Sequence, residues 1–338
     1  MDSHPSQLLS VVVPAHNEVA GIAHAVGVII DALAACGMDL EIIVVDDGSR
    51  DETFDRVQDL NRKDARVKGL RLTRNFGKEA ALLAGLKAAS GDAVVTIDSD
   101  LQHPPQLVPT MIAEWRKGAM VVDAVKRGRE SDGVFTRMRA GLFNSMLSRL
   151  AGINLRQASD FKLLDRRVVD AIARELPERQ RFYRGLVDWV GFRHASIPFD
   201  VEARAEGQGK WTLWKLLDLA MTAIVSFTSA PLRIVTILGV VTLLFGFAVG
   251  TEALVGWLQG HAISGFTTTI TTLLIIGSFI MISLGIIGEY IAKIYDEIKG
   301  RPTYLLESRA GFEGQIPLQG AAVSVGREAL AGDAPVAK

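Results

Sequence analysis

Two aspartates separated by a single residue, Asp98 and Asp100, have the type and spacing to bind a metal ion. They directly follow the apolar run 93–97, which is typical of a β-strand, and Gln102 and two prolines come next. Where the chain turns, two such carboxylates can approach one hard cation, and Gln102 can add a carbonyl oxygen. Mg²⁺ and Mn²⁺ take oxygen ligands of this kind and keep positions open for phosphate. Because Asp-x-Asp pairs also occur on solvated loops, the prediction depends on the preceding strand and the following prolines.

Polar residues also close two earlier apolar runs. Residues 14–18 follow the first run, and residues 46–51 follow the second. The carboxylates of the second segment favour recognition of a base or ribose, but a turn in which Ser49 or Asp51 caps the next helix fits that segment equally well. We interpret His16 as a residue of the pocket wall rather than a metal ligand, because no second histidine lies at ligand spacing.

The elements before these polar segments must position them. Short β-branched runs alternate with helical stretches through the first half of the chain, at residues 10–13, 41–45, 67–72 and 93–97. Runs this apolar are typical of strands that are buried on both faces, as in a parallel sheet with helices on each side. Ligands of such sheets bind at the carboxyl ends of the strands, which is where the polar segments lie.

Two uncharged stretches dominate the second half of the chain, at residues 234–251 and 253–288. A helix that spans a membrane needs about 20 apolar residues. We therefore predict membrane-spanning helices over residues 232–254 and 268–288, the alternative being two buried core helices.

Basic residues lie at the start of the first span and after the second span, and none lies in the loop between them. The positive-inside rule therefore places both chain termini in the cytoplasm. The flanking residues are Arg233, Lys293, Lys299 and Arg301. Residues 134–150 and 211–227 have apolar faces that suit helices lying in a membrane interface, although two ordinary core-packing helices fit the same pattern.

The composition narrows the class of protein. Of the 338 residues 49% are hydrophobic, which is apolar for a soluble enzyme. Lys and Arg number 37 against 38 for Asp and Glu, and a balance this even argues against a nucleic-acid-binding protein. Cys36 is the only cysteine, so no intramolecular disulfide forms, which fits a reducing compartment. We also expect no cleavable signal peptide, because no basic segment and apolar run precede the first strand.

Five motifs, in their order and spacing, resemble those of family 2 glycosyltransferases with the GT-A fold. The resemblance is closest to the polyprenyl-phosphate branch, which includes dolichol-phosphate mannosyltransferase and bactoprenol glucosyltransferases, and it extends from about Leu8 to Tyr304. One departure is Gly209, where the family usually has a serine. The motifs are Val13 to Glu18, Val45 to Ser49, Arg74 to Lys78, Asp98 to Pro105, and Arg204 to Lys210.

The resemblance implies an α/β, GT-A (Rossmann-like) nucleotide-sugar domain with interface helices and two C-terminal transmembrane helices. It also implies the parts of the site. The metal, Mg²⁺ or Mn²⁺, would bind at Asp98, Asp100 and Gln102. Binding of the nucleotide sugar is expected from Pro14, His16, Glu18, Asp47, Asp98, Lys78, Arg204 and Lys210, the last two on a loop that closes over the diphosphate.

The acceptor implied by the resemblance is a lipid phosphate, whose charge requires basic partners. The candidates are Lys126, Arg127, Arg137 and Arg139, although the last two could instead contact lipid headgroups. Asp160 occupies the position of the acidic residue that faces the anomeric carbon in this family, as a base or as a group that orients the acceptor; a purely structural role is equally open. With Asp100 and Arg127, Asp160 completes the expected catalytic set, and Arg181 to Arg184 resemble a further family motif near the site.

The predicted function is inverting transfer of a sugar, with UDP-glucose the favoured donor, to undecaprenyl phosphate at the cytoplasmic face of the bacterial inner membrane. The expected partners are the nucleotide sugar, the polyprenyl phosphate and the bilayer, without nucleic acid, and the paired spans fit a homo-oligomer. The expected domains are a catalytic domain at 1–210, an interface helix at 211–229, two transmembrane helices at 230–292, and a cytoplasmic tail at 293–338 that is disordered beyond about 309.

Three other functions are weaker. A processive polysaccharide synthase usually contains Gln-x-x-Arg-Trp, and residues 180–184 lack that spacing and the tryptophan. A membrane module that only binds nucleotide sugars would not need the acidic and basic candidates together. A dinucleotide-binding dehydrogenase would have Gly-x-Gly-x-x-Gly after the first strand, and this chain does not.

Overall fold

The computed structural model describes residues 7–126, 159–179, 181–199, 230–260 and 265–312. The chain divides into two compact units. The first contains residues 1–128, 157–204 and 302–338, and the second contains residues 129–156 and 205–301.

The first unit is built on one eight-stranded sheet with helices on both faces. Its strands are β1 (Leu8–Ala15), β2 (Asp39–Asp46), β3 (Val67–Leu72), β4 (Ala93–Thr96), β5 (Val121–Lys126), β6 (Lys162–Asp165), β7 (His194–Phe199) and β8 (Leu306–Ala310). Its helices are α1 (Ile22–Leu33), α2 (Thr53–Lys63), α3 (Lys78–Ala88), α4 (Val108–Arg116), α5 (Arg166–Asp170) and α6 (Tyr183–Trp189).

The strand order is β7-β5-β6-β4-β1-β2-β3-β8. The chain runs outward from β1 through β2 to β3 and then returns to β4 on the other side of β1. The carboxyl ends of β4, β1 and β2 therefore lie side by side, at a point where the strand order reverses. Open α/β sheets bind their ligands at such a point.

The four strands that the apolar runs predicted, β1 to β4, are parallel to one another as expected, while the complete sheet is mixed. Strand β6 runs antiparallel to both β4 and β5, and β8 runs antiparallel to β3. These two antiparallel strands lie outside the four apolar runs that the sequence indicated.

Side chains of alternate strand residues fill two cores, one on each face of the sheet. Val11 and Val13 lie in the core that α1, α2 and α4 cover, and Val12 and Val45 lie in the core that α3, α5 and α6 cover. Helix α3 approaches the sheet most closely at Gly85, where an added Cβ would collide with a Val12 methyl group.

Residues 306–310, which fall within the expected tail, form a strand of the first unit's sheet. Strand β8 pairs with β3 from Gly69 to Leu72, and Phe312 just beyond it is buried. Its sequence, Leu-Glu-Ser-Arg-Ala, has too weak an apolar pattern to be read as a strand, since the backbone pairing with β3 and not the side chains defines it.

The described part of the second unit consists of two long helices, α7 (Ala230–Leu258) and α8 (Phe266–Ile298). Each contains a segment long and apolar enough to cross a membrane, at Val235–Gly256 and Thr269–Ile298, and neither segment is buried within the structure. The second segment ends at Ile298 rather than at residue 288 because the helix continues through a charged last stretch.

The close approach of α3 to the sheet gives the first prediction. Gly85→Ala should destabilise the first unit by about 1–3 kcal/mol, because the new methyl group overpacks the contact with Val12. Thermal unfolding of the purified protein, followed by intrinsic fluorescence, should show a lower midpoint.

Gly27→Ala is the matched control for this test. A Cβ at Gly27 in α1 meets no atom within 4 Å, so alanine there should be neutral or raise stability by about 0.5–1 kcal/mol. Equal midpoints for the two variants would contradict the proposed packing.

Candidate functional site

A cavity of about 400 Å³ opens at the carboxyl ends of β1, β2 and β4. Most of the site residues that were predicted in the first half of the chain line this cavity, although they are far apart in the sequence. Its walls include Pro14, His16, Glu18, Asp47, Lys78, Asp98 and Asp100, together with Asn75 and Gly77. The strand-end rule thus located the cavity, while the role of each residue in it stays a prediction.

Asp47 fixes the shape of one wall. Its two carboxylate oxygens accept backbone N–H groups, Oδ1 from Phe76 at 2.7 Å and Oδ2 from Gly77 at 2.9 Å. Its carbonyl oxygen lies 3.0 Å from Nδ1 of His16. Gly48 makes this approach feasible, because it has a φ of +62° and a Cβ there would strike the Arg74 backbone. Asp47 therefore positions the loop that leads into α3, in addition to lining the cavity.

The first residue of that helix, Lys78, bridges two acidic side chains. Its Nζ lies 2.5 Å from Oδ1 of Asp98 and 2.6 Å from Oδ2 of Asp160. Arg184 in α6 forms a bidentate pair with the same Asp160, from Nε to Oδ1 at 2.7 Å and from Nη2 to Oδ2 at 2.9 Å. These four residues, Asp98, Lys78, Asp160 and Arg184, form a continuous chain of ion pairs that we call the charge chain.

Both central members of the charge chain are held in their charged forms. Burial acts to raise the pKa of Asp160, but the hydrogen bonds and charges of Arg184 and Lys78 outweigh it and leave that pKa well below its usual range. Burial acts to lower the pKa of Lys78, and the charges of Asp160 and Asp98 outweigh it, so that pKa is raised. Asp160 is therefore a carboxylate, and Lys78 an ammonium, throughout the neutral pH range.

A hydrogen-bond network that includes the Asp160 carbonyl also holds Asp160 in place. The Thr96 hydroxyl at the end of β4 donates to the Asp160 carbonyl and lies 2.9 Å from the buried Tyr183 hydroxyl. The Tyr183 backbone N–H in turn donates to Glu79 Oε2 at 2.8 Å. Arg184 follows Tyr183 in the chain, so this network also positions the backbone from which the Arg184 side chain extends.

The donor set at the end of β4 fits a hard cation. Leu101 adopts a left-handed φ of +52°, which supplies the turn that the Asp-x-Asp pattern requires. Asp100 is exposed and accepts the Gln102 N–H at 3.1 Å. Burial, and then the charges of Asp100 and Asp51, raise the pKa of Glu18, which lines the same cavity.

No group of three or more His, Cys, Asp or Glu side chains is arranged around one point within the described residues. In Mg²⁺ sites of enzymes with phosphate substrates, one or two carboxylates bind the ion and the phosphates complete its coordination. Asp98 and Asp100 fit that pattern, and Gln102 lies beside them.

Several predicted residues fall outside the described part of the chain. These are Arg127, Arg137, Arg139, Arg204 and Lys210, as well as the proposed interface helices at 134–150 and 211–227. Lys126 is the last residue of β5. Their expected roles toward the acceptor and the diphosphate stay predictions.

Comparison with known proteins agrees with this architecture. Residues 10–172 match the family described as Glycosyl transferase family 2, and residues 230–294 match the GtrB C-terminal hairpin. A glycosyltransferase of Synechocystis, sll0501, is 38% identical over 92% of this chain and 98% of its own. A prophage-derived bactoprenol glucosyl transferase of Shigella flexneri is 36% identical over 88% of this chain and 97% of its own.

The chain belongs to glycosyltransferase family 2. Among solved structures, glucosyl-3-phosphoglycerate synthase from Mycobacterium tuberculosis with Mn²⁺, uridine diphosphate and glucosyl-3-phosphoglycerate is 24% identical, over 65% of this chain and 78% of its own, with a TM-score of 0.43. A likeness of that size transfers no residue roles to this family 2 glycosyltransferase.

Arg184 of the charge chain and the nearby Glu79 were not fully predicted. Arg184 was noticed only within the Arg181 to Arg184 motif, and the structure separates the two arginines of that motif. Arg184 reaches Asp160, whereas Arg181 donates to the Leu176 and Glu178 carbonyls at 3.1 and 3.2 Å. Glu79 was not singled out at all, although its neighbour Lys78 was.

The half-buried Glu79 gives a pH prediction. Burial is the largest influence on it and raises its pKa to about 7, against the Tyr183 N–H hydrogen bond, which lowers it. Between pH 4.5 and 7 the unfolded chain therefore binds fewer protons at this residue than the folded protein, so its contribution to stability falls as pH rises through that window. Glu79→Gln stays neutral and should lose this pH dependence.

The measurement is the unfolding midpoint of wild type and variant from pH 5 to 8. As pH rises, the unfolding midpoint of Glu79→Gln should increase relative to that of wild type. A difference between the two midpoints that does not change with pH would contradict the raised pKa of Glu79. Glu175→Gln, at an exposed glutamate, serves as the control and should follow wild type throughout.

Proposed function

We propose that this glycosyltransferase transfers glucose from UDP-glucose to undecaprenyl phosphate, giving a lipid-linked monosaccharide for modification of cell-envelope glycans. The observation that carries the proposal is the match to a bactoprenol glucosyl transferase over nearly the whole of both chains. That match includes the catalytic sheet and also the C-terminal hairpin, which a soluble glycosyltransferase would not need.

The reaction is a single displacement. An oxygen of the acceptor phosphate attacks the anomeric carbon, the bond from that carbon to the diphosphate breaks, and its electron pair leaves with the nucleoside diphosphate. The attack comes from the face opposite the leaving group, so the product has the inverted anomeric configuration. The attacking oxygen is already anionic near neutral pH, so no group of the protein has to remove a proton.

Asp160 is best assigned as a positioning residue and not as a base. Both of its oxygens are paired, and its pKa lies well below its usual range, so it has little tendency to take a proton. Its contribution is to hold Arg184 and Lys78, the second of which lines the cavity. These two cations would attract the acceptor phosphate and the diphosphate.

The carboxylates of Asp98 and Asp100, with Gln102, would hold Mg²⁺ or Mn²⁺, which when bound neutralises the diphosphate leaving group. Glu18 and Asp47 also line the cavity and would contact the nucleoside. Arg204 and Lys210 would close over the diphosphate, and Lys126, Arg127, Arg137 and Arg139 would attract the acceptor.

The proposed location is the cytoplasmic face of the bacterial inner membrane. Helices α7 and α8 meet the length and composition of membrane spans, and the basic residues that flank them favour cytoplasmic termini. The catalytic domain would then comprise residues 1–210 together with β8, which returns to its sheet. A lipid phosphate of the inner leaflet is the acceptor that such an anchor makes accessible.

Asp100→Asn is the variant that tests the proposal. It removes a carboxylate while keeping the shape of the side chain, and transfer should fall by about 100-fold or more because the diphosphate charge is no longer neutralised. The assay offers radiolabelled UDP-glucose, UDP-N-acetylglucosamine and GDP-mannose to membranes, then extracts the lipid product and determines its anomeric configuration.

EDTA should abolish transfer by wild type, and added Mg²⁺ or Mn²⁺ should restore it. Asp59→Asn is the matched control, since Asp59 is a half-exposed aspartate on α2 that pairs with Arg62. Absence of any lipid-linked sugar from all three donors would overturn the proposed function, and undiminished transfer by Asp100→Asn would overturn the metal assignment.

A further inference from the structure

Lys78 occupies an unusual position for a residue that is expected to meet an anionic donor. Its ammonium is in contact with a carboxylate of the Asp-x-Asp motif, at 2.5 Å from Asp98 Oδ1. It is also in contact with Asp160, at 2.6 Å. A metal ion bound through Asp98 would therefore compete with a positive charge that the protein itself supplies.

The charge chain is balanced without any ligand. Asp98 and Asp160 contribute two negative charges, and Lys78 and Arg184 contribute two positive charges. A divalent cation that arrives alone meets a neutralised Asp98 and an adjacent ammonium, so repulsion opposes its binding. A cation that binds together with a diphosphate is opposed less, because the diphosphate supplies negative charge that can pair with the displaced Lys78 ammonium.

The two basic residues of the charge chain differ in their freedom to move. Arg184 is fixed by a bidentate pair with Asp160, and its planar group would lose both hydrogen bonds if it turned. Lys78 is a point charge on a flexible stem, and its side chain is 41% exposed on the cavity side. Lys78 can therefore leave Asp98 while it stays close to Asp160.

We propose that Lys78 is the resident counter-ion of Asp98, and that it gives up Asp98 to the metal only when the diphosphate of the donor is there to receive its ammonium. The enzyme then binds metal and nucleotide as a coupled pair and has low affinity for the metal alone. This inference rests on the proposed function, because it takes the donor to be a sugar linked to a nucleoside diphosphate.

The test measures Mn²⁺ affinity of the purified full-length protein in detergent, from the electron paramagnetic resonance signal of free Mn²⁺. Wild type should bind Mn²⁺ weakly alone and much more tightly with UDP. Lys78→Met should bind Mn²⁺ alone about tenfold more tightly than wild type, since the competing charge is gone. The additional tightening by UDP should shrink in this variant, because the diphosphate has lost its ammonium partner.

Two further variants separate this competition from a general change of charge or fold. Lys78→Arg keeps a cation beside Asp98 and should bind Mn²⁺ as weakly as wild type. Lys87→Met removes a lysine at the other end of the same helix and should also match wild type. Circular dichroism and the unfolding midpoint of each variant establish that it is folded.

Mn²⁺ affinity of Lys78→Met that is equal to or weaker than that of wild type would overturn the inference, as would an equal gain in Lys87→Met. Neither result depends on sugar transfer. If Lys78→Met gains Mn²⁺ affinity but no lipid-linked sugar forms, the proposed function fails and the competition stands. If transfer proceeds and the Mn²⁺ affinities do not change, only the competition fails.

Discussion

The ion pairs around Asp160 are the constraint on which the rest of the site depends. A carboxylate that is only 8% exposed, as Asp160 is, would be costly if it were unpaired. Arg184 and Lys78 remove that cost, and each comes from a different helix on the same face of the sheet. The position of α3 relative to α6 is thus tied to a single side chain, Asp160, just before β6.

The loop before α3 shows how the fold delivers Lys78 to that point. Asp47 receives two backbone N–H groups of the loop, and Gly48 lets the two chain segments approach closely. Further back, α3 lies against β1 without an intervening side chain at Gly85. Because the loop before α3 and the middle of α3 are both held in place, the Lys78 ammonium at the start of the helix lies within hydrogen-bond distance of Asp98 and Asp160.

Much of this architecture could be predicted from the sequence, for reasons that are local. Runs of apolar residues predict the buried strands and the membrane-length helices. The Asp-x-Asp pair can be recognised because both aspartates lie in one turn. The expected cavity residues from Pro14 to Asp100 meet because strand ends of an α/β sheet meet.

What could not be predicted depends on pairing between distant segments. Arg184 and Asp160 are separated by 24 residues and Lys78 and Asp160 by 82, and no local pattern indicates that they are in contact. The same reason explains why the antiparallel strands β6 and β8 were missed, and why a half-buried Glu79 looked like an ordinary acid in the first turn of a helix.

Strand β8 has a consequence for the order in which the protein is made. The ribosome completes β1 to β7 and then both long helices before it reaches residues 306–310. Until then β3 is an open edge with unpaired N–H and C=O groups, the kind of edge that invites pairing with other chains. The catalytic sheet of each newly synthesised chain is therefore finished only after its hairpin has emerged, so biogenesis of the hairpin and completion of the enzyme are coupled in time.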